Sequence, residues 1–170
     1  MSVKLGLDVE LHQLSLMAPA GYSIGLHIRF TAPLFMFQSY DQAWLDHYTE
    51  HGYVLRDPMV AWGFSTTGTI RWSDRSLPDP FGLFKEAARF CLHYGATVAC
   101  GPIKSRTIAS FARQDREFTD HEIAAVAQIV ERVQPGYYES RGLTNPLATP
   151  AASAAATASP EASQDRPAAR

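Results

Sequence analysis

The period of the hydrophobic positions changes several times along this chain, and each change marks an element. Val9, Leu11, Leu14 and Leu16 or Met17 recur at helical spacing, and Ala18-Pro19-Ala20-Gly21 ends that helix. From Tyr22 to Phe30 the period drops to two. Tyr22, Ile24, Leu26, Ile28 and Phe30 fall on one side, with Ser23, Gly25, His27 and Arg29 on the other, as in a half-buried strand. Thr31-Ala32-Pro33 turns the chain, and Leu34 to Gln38 returns as a second strand with Leu34 and Met36 on one face. Ser39 followed by Gln42 has the spacing of a capping box, which predicts a helix from Tyr40 that stops at Gly52. On it Tyr40, Trp44 and Tyr48 stand four apart and share a face.

The chain then passes Asp57-Pro58, where proline pushes Asp57 into an extended conformation, and reaches a short strand at Thr69-Ile70-Arg71 before Trp72. Asp79 and Pro80 open a further helix carrying Leu83, Phe84, Ala87, Phe90 and Cys91, which Gly95 closes. Ala96 to Ile103 and Thr107 to Arg113 read as two strands joined at Lys104-Ser105. Thr119 with Glu122 is a second capping box, opening a helix to Gln134 whose stripe is Ile123, Val126, Ile129, Val130 and Val133. The order predicts an α/β (α+β) domain with helices on either side of a mainly antiparallel sheet of about five strands, an α-β-α sandwich. Beyond Leu147 no large apolar residue occurs, so residues 141–170, rich in Ala, Ser and Pro, read as a disordered tail after a domain spanning 1–140.

Composition narrows the function. With 46% hydrophobic and 19% charged residues, the 170-residue chain has the makings of one folded domain. A formal charge of −2 and no basic stripe argue against direct nucleic-acid binding. Cys91 and Cys100 lack metal-ligand spacing and read as reduced core or pocket-lining residues. No signal-peptide pattern or membrane-length apolar run occurs, which predicts a cytoplasmic protein without membrane insertion. His47 and His51 stand four apart, but no third ligand accompanies them, so they read as solvated residues and no metal is expected. No Ser-His-Asp set, phosphate loop or carboxylate pair stands out, and the chain is not expected to be an enzyme.

On residue type alone Tyr40, Trp44 and Tyr48 read as core aromatics and Asp57 as a turn or N-cap carboxylate. Together they read differently. Tyr40, Trp44, Tyr48, Asp57-Pro58 and Trp72 follow one another at gaps of four, four, nine and fifteen, and the later stretches GATVACGPIKSRTIASFAR and EFTDHE follow in turn. In this the chain, from roughly Val9 to Val133, resembles the autoinducer-binding domain of LuxR-type quorum-sensing regulators, which recognise N-acyl-homoserine lactones. The resemblance implies a GAF/PAS-like fold and a ligand pocket. It implies that Trp44 donates to the lactone carbonyl and that Asp57 accepts from the ligand amide. Tyr40, and Ser110 if it does not bond only to backbone, would donate to the acyl carbonyl. Trp72 would pack on the lactone ring and Tyr48 on the acyl chain, with Leu26, Ile28, Phe30, Leu34, Met36 and Val60 as the apolar wall. A donor-only indole and an acceptor-only carboxylate suit a ligand carrying both carbonyl and amide.

Family members continue into a helix-turn-helix module. Here Gly142-Leu143-Thr144 begins like its opening and then gives way to Asn145-Pro146-Leu147 and the tail. The expectation is therefore a signal-binding protein without its own DNA-binding domain and with no cofactor other than the lactone signal, forming a homodimer or a heterodimer with a full-length LuxR-type regulator. The alternative is a ligand-independent anti-activator that acts by such heterodimerisation.

Overall fold

The computed structural model describes the backbone of residues 2–30 and 32–140 and the side chains of residues 8–30 and 32–134. The expected tail at 141–170, Gly142-Leu143-Thr144 included, lies outside the described residues. The elements are α1 (Ser2–Met17), β1 (Gly21–Ile28), β2 (Phe35–Gln38), α2 (Gln42–Glu50), α3 (Pro58–Ser65), β3 (Gly68–Arg71), α4 (Leu83–Ala88), β4 (Tyr94–Cys100), β5 (Arg106–Arg113) and α5 (Asp120–Ser140). The five strands form one sheet in the order β2-β1-β5-β4-β3, antiparallel throughout.

The two faces of this sheet are built differently. One carries Tyr22, Ile24 and Leu26 of β1, Ala96 and Val98 of β4, and Ala109 and Phe111 of β5, packed with Leu14 of α1 and Val126, Ile129, Val130 and Val133 of α5. Phe111, Ile24, Leu26 and Val130 are fully buried. Each such side chain contributes about 1.5–3 kcal/mol, so this layer holds the domain together. The other face carries small residues in register: Gly21, Ala112 and Gly95 in one row, Ser23, Ser110 and Thr97 in the next, then Gly25, Ile108 and Ala99. On that side α3 packs on β4 and β5, with Gly63 seated on Ile108. The aromatic residues of α2 pack with Leu83 and Ala87 of α4 in a second, smaller cluster.

Several element ends differ from the sequence expectation. The hydroxyl of Ser39 accepts from Tyr22 N–H at 3.0 Å, and Ser39 N–H donates to the Tyr22 carbonyl, so Ser39 extends the strand pair. Asp41 caps α2 in its place, accepting from Ala43 N–H at 2.9 Å, and Tyr40 precedes the helix. Gly52, at φ 60°, takes the left-handed turn after α2 as expected. Asp79 caps α4 from a distance, its carboxylate accepting from Leu83 and Phe84 N–H, while Gly82 occupies the cap position. The helix at Pro58 was not expected. There Asp57 is the N-cap and proline stands in the first turn. α5 runs on through Pro135 to Ser140, although proline offers no N–H to the carbonyl one turn back.

The capping box that opens α5 forms as expected. Thr119 Oγ1 accepts from Glu122 N–H and Glu122 accepts from Thr119 N–H at 2.8 Å. Arg113 and Arg116 also reach Glu122, and with Arg116 as the leading cause the carboxyl is held down at about 2. Thr119→Ala should lower unfolding stability by about 1 kcal/mol in denaturant titration. The Glu122 contribution is present above the ordinary carboxylate range and is lost as pH falls toward about 2, so the cost of the substitution should be read near neutral pH.

Candidate functional site: an apolar cavity over the small-residue face

A cavity of about 170 Å³ lies between the small-residue face and helices α2, α3 and α4. Its lining includes Tyr40, Trp44, Tyr48, Asp57, Val60, Trp72, Ser110 and Met36, together with Ser23, Ile28, Met59, Phe64, Leu83, Phe84 and Ile108. The floor stays open because the rows beneath it are, Ile108 apart, glycine, alanine, serine and threonine. A Cβ on Gly95 would run into the Trp72 indole, and one on Gly21 would meet Tyr40. The two rings therefore lie directly against the sheet.

Polar groups in the cavity form two short chains. Tyr48 Oη donates to Asp57 Oδ2 at 2.8 Å, and Asp57 Oδ1 accepts from Met59 N–H at 2.7 Å as the cap of α3. Asp57 is thus both the N-cap and a residue of the cavity wall. Burial raises its carboxyl above the usual range, and the hydrogen bonds from Tyr48 and from the Met59 and Val60 N–H groups only partly oppose this. The phenols of Tyr40 and Tyr48 are pushed well up by burial and by the neighbouring Asp57, so both are neutral donors. The second chain crosses the floor. Trp72 Nε1–H donates to Thr97 Oγ1 at 3.1 Å, Thr97 and Ser110 hydroxyls share a hydrogen bond of 2.8 Å, and Tyr40 Oη donates to the Ser110 carbonyl at 3.1 Å.

Trp44 is 6% exposed and is wedged among Tyr48, Tyr53, His47 and Phe90, with a stacked contact to Tyr53 at 6.2 Å. None of the described residues accepts from its indole N–H. Trp72 stacks on Phe84 at 5.5 Å.

Other residues are placed differently from the sequence expectation. Leu34 is 42% exposed and outside the lining. Leu26 belongs to the opposite face, and Phe30 is 99% exposed. The cause is an irregularity in β1 between Gly25 and Ile28, where His27 adopts φ 52° and turns Ile28 toward the cavity. His47 is partly buried, its Nε2 lying 3.5 Å from Glu86, so it is not a solvated residue. Among the described residues no three His, Cys, Asp or Glu side chains gather as a metal site. Cys100 sits against Gln134 of α5, its thiol raised to about 11 by burial, and Cys91 is exposed; neither lines the cavity. Of the lining, Phe64, Phe84, Ile108 and Ser23 were missed, as were Tyr53, which stacks on Trp44, and Thr97, which accepts from Trp72. The signals for them existed: Ile108 stands two before Ser110 on one strand, and Phe64 stands four after Val60 once the helix at Pro58 is seen.

Comparison with known proteins identifies the class. The autoinducer binding domain family matches residues 19–134, and the chain belongs to that family, the ligand-binding domain of LuxR-type regulators. No curated protein matches the sequence significantly. Among solved structures the fold is similar to SdiA of Escherichia coli, at 22% identity and a TM-score of 0.61, covering 78% of this chain and 60% of that one. It is similar also to the N-acylhomoserine lactone-dependent LuxR family factor CepR2 of Burkholderia cenocepacia, at 17% identity and a TM-score of 0.63, over 82% and 87% of the two chains. GAF3 of Slr1393 from Synechocystis shares the architecture at 12% identity and a TM-score of 0.56, over 82% and 96%. This chain thus spans about 60% of the SdiA chain. No helix among the described residues is long and apolar enough to cross a membrane.

Two outcomes are expected of the unliganded protein. Gly95→Ala should displace Trp72 and destabilise by about 1–3 kcal/mol in denaturant titration. Asp57→Asn keeps a side-chain cap for α3 while removing a buried charge. The raised carboxyl favours the protonated form, so its contribution is lost as pH rises through the folded-state value. The melting temperature of Asp57→Asn should therefore equal or exceed that of the natural protein at neutral pH, with the difference closing in acid.

Proposed function

We propose that this chain is a signal receptor whose cavity takes an N-acyl-homoserine lactone or a closely similar amide-bearing amphiphile, by binding and without chemistry. The observation that carries the reading is the pairing, in one apolar cavity, of the Trp44 indole N–H, from which none of the described residues accepts, and the buried Asp57 carboxylate. Trp44 offers its N–H to a ligand carbonyl, and Asp57 accepts from a ligand N–H. Tyr40 and Ser110 supply hydroxyls for a second carbonyl, and Trp72, Tyr48, Met36 and Val60 give the apolar surface for ring and chain. A neutral amide needs both kinds of partner, whereas a plain fatty acid would place a second negative charge beside Asp57. The family of the chain and the lactone dependence stated for CepR2 agree with this ligand class.

In this reading the protein works in the cytoplasm and passes its signal on through pairing, with a second copy or with a full-length LuxR-type regulator. The second reading, partner binding without ligand, draws on Val9 and Leu16, which α1 leaves 51% and 69% exposed. Melting temperatures measured across a panel of N-acyl-homoserine lactones separate the two. A receptor should be stabilised by at least one chain length, and Trp44→Phe and Asp57→Asn should each weaken binding about tenfold or more. Ligand-dependent stability left unchanged by both substitutions would overturn the sensor reading.

A further inference from the structure

The two edges of the sheet are finished differently. At one, β3 carries Arg71, whose guanidinium is tied to the Phe118 carbonyl and to Asp120 at 2.6 Å, so a fixed charge guards that edge. At the other, β2 has a neighbour on one side only among the described residues, and no charged side chain stands anywhere from Phe30 to Tyr40. Sheet edges ordinarily carry charges, prolines or bulges that keep other strands away, and Phe35–Gln38 holds no charge and no proline. The register shows which groups this edge offers. Ser39 N–H donates to the Tyr22 carbonyl, so Phe37 and Phe35, at alternate positions, bond to β1, while Met36, opposite Gly25, turns its N–H and C=O outward. The Met36 side chain lines the cavity and is still 48% exposed, which places an opening of the cavity beside β2.

A strand with these properties fits a second copy of itself. Antiparallel strands keep their faces aligned only if opposed residues point to the same side, and they bond only where outward groups meet outward groups. For β2 against β2, a two-fold axis through Met36 meets both conditions. Met36 then opposes Met36, exchanging a pair of N–H···O bonds, and Phe35 opposes Phe37 on the face that packs on the main core. An axis through Phe35 or Phe37 would set against each other groups already bonded to β1. Neutral residues meet neutral residues throughout, and a contact of this isologous kind closes on itself. We propose that β2 is the self-association edge of this protein: two copies pair their β2 strands about Met36 into one continuous sheet, and each Met36 covers the opening of the other copy's cavity. This specifies the pairing in the receptor reading above and rests on that reading only for what the covered cavity holds.

A contact built on one short strand is small, so the dimer should dissociate with a Kd of about 10–100 μM. Sedimentation equilibrium of the full, ligand-free chain across that range should show a reversible monomer–dimer equilibrium. Met36→Lys and Met36→Glu each set like charges against each other at the axis, and each should weaken self-association about tenfold or more. An equimolar mixture of the two variants places opposite charges there and should recover the dimer, which a misfolded variant could not do. A natural protein that stays monomeric throughout would overturn the pairing. So would a dimer that Met36→Lys leaves intact because the copies meet elsewhere, as at Leu16 of α1, or a mixture that recovers nothing. Lactone binding, measured separately on the same protein, bears on the receptor reading and not on this contact.

Discussion

The cavity depends on a sheet that is heavy on one face and light on the other. Tyr22, Ile24, Leu26, Val98 and Phe111 fill the space beneath α1 and α5, and this packed layer can stabilise the domain without help from the opposite side. That opposite side carries Gly21, Ser23, Gly25, Gly95, Thr97 and Ser110, none of which can fill the space under α2 to α4. The space they leave is a cavity of about 170 Å³. A signal molecule that filled the cavity would complete a second core, coupling binding to stability by mass action.

The glycines decide where the aromatic rings go. Trp72 and Tyr40 lie against positions without a Cβ, so their faces become the cavity surface and their polar tips reach the sheet. Asp57 joins the same economy of parts. One carboxyl oxygen holds the first turn of α3 and the other takes the Tyr48 hydroxyl, which leaves a buried acidic group on the wall of an apolar space. That arrangement is poor for stability and good for recognising an N–H.

Much of the architecture was legible in the hydrophobic pattern because large residues recur at clear periods. Val126, Val130 and Val133 announced α5, and the capping box of Thr119 and Glu122 marked its start to the residue. The spaced aromatics with Asp57 carried the family. What failed to show followed from local chemistry used elsewhere. Ser39 spends its hydroxyl on Tyr22, so the apparent capping box at Tyr40 was a coincidence of spacing. In β1 the alternation read correctly as far as Leu26, then the turn at His27 moved Ile28 to the other face. Of the greasy wall expected from the apolar side of β1, only Ile28 therefore reaches the cavity, which otherwise uses the small, polar side with Ser23 and Gly25. Helix α3 was hidden because Asp57-Pro58 reads as a turn as readily as a cap, and it is the helical bond from Ala61 N–H to the Asp57 carbonyl that distinguishes the two.

The central claim is that this cavity holds an amide-bearing acyl ligand. Native mass spectrometry of the protein expressed with and without a panel of N-acyl-homoserine lactones tests it most directly. The account predicts one lactone retained per chain in the natural protein and lost from Trp44→Phe and Asp57→Asn. Retention of no lactone by a folded natural protein, or equal retention by both variants, would contradict it.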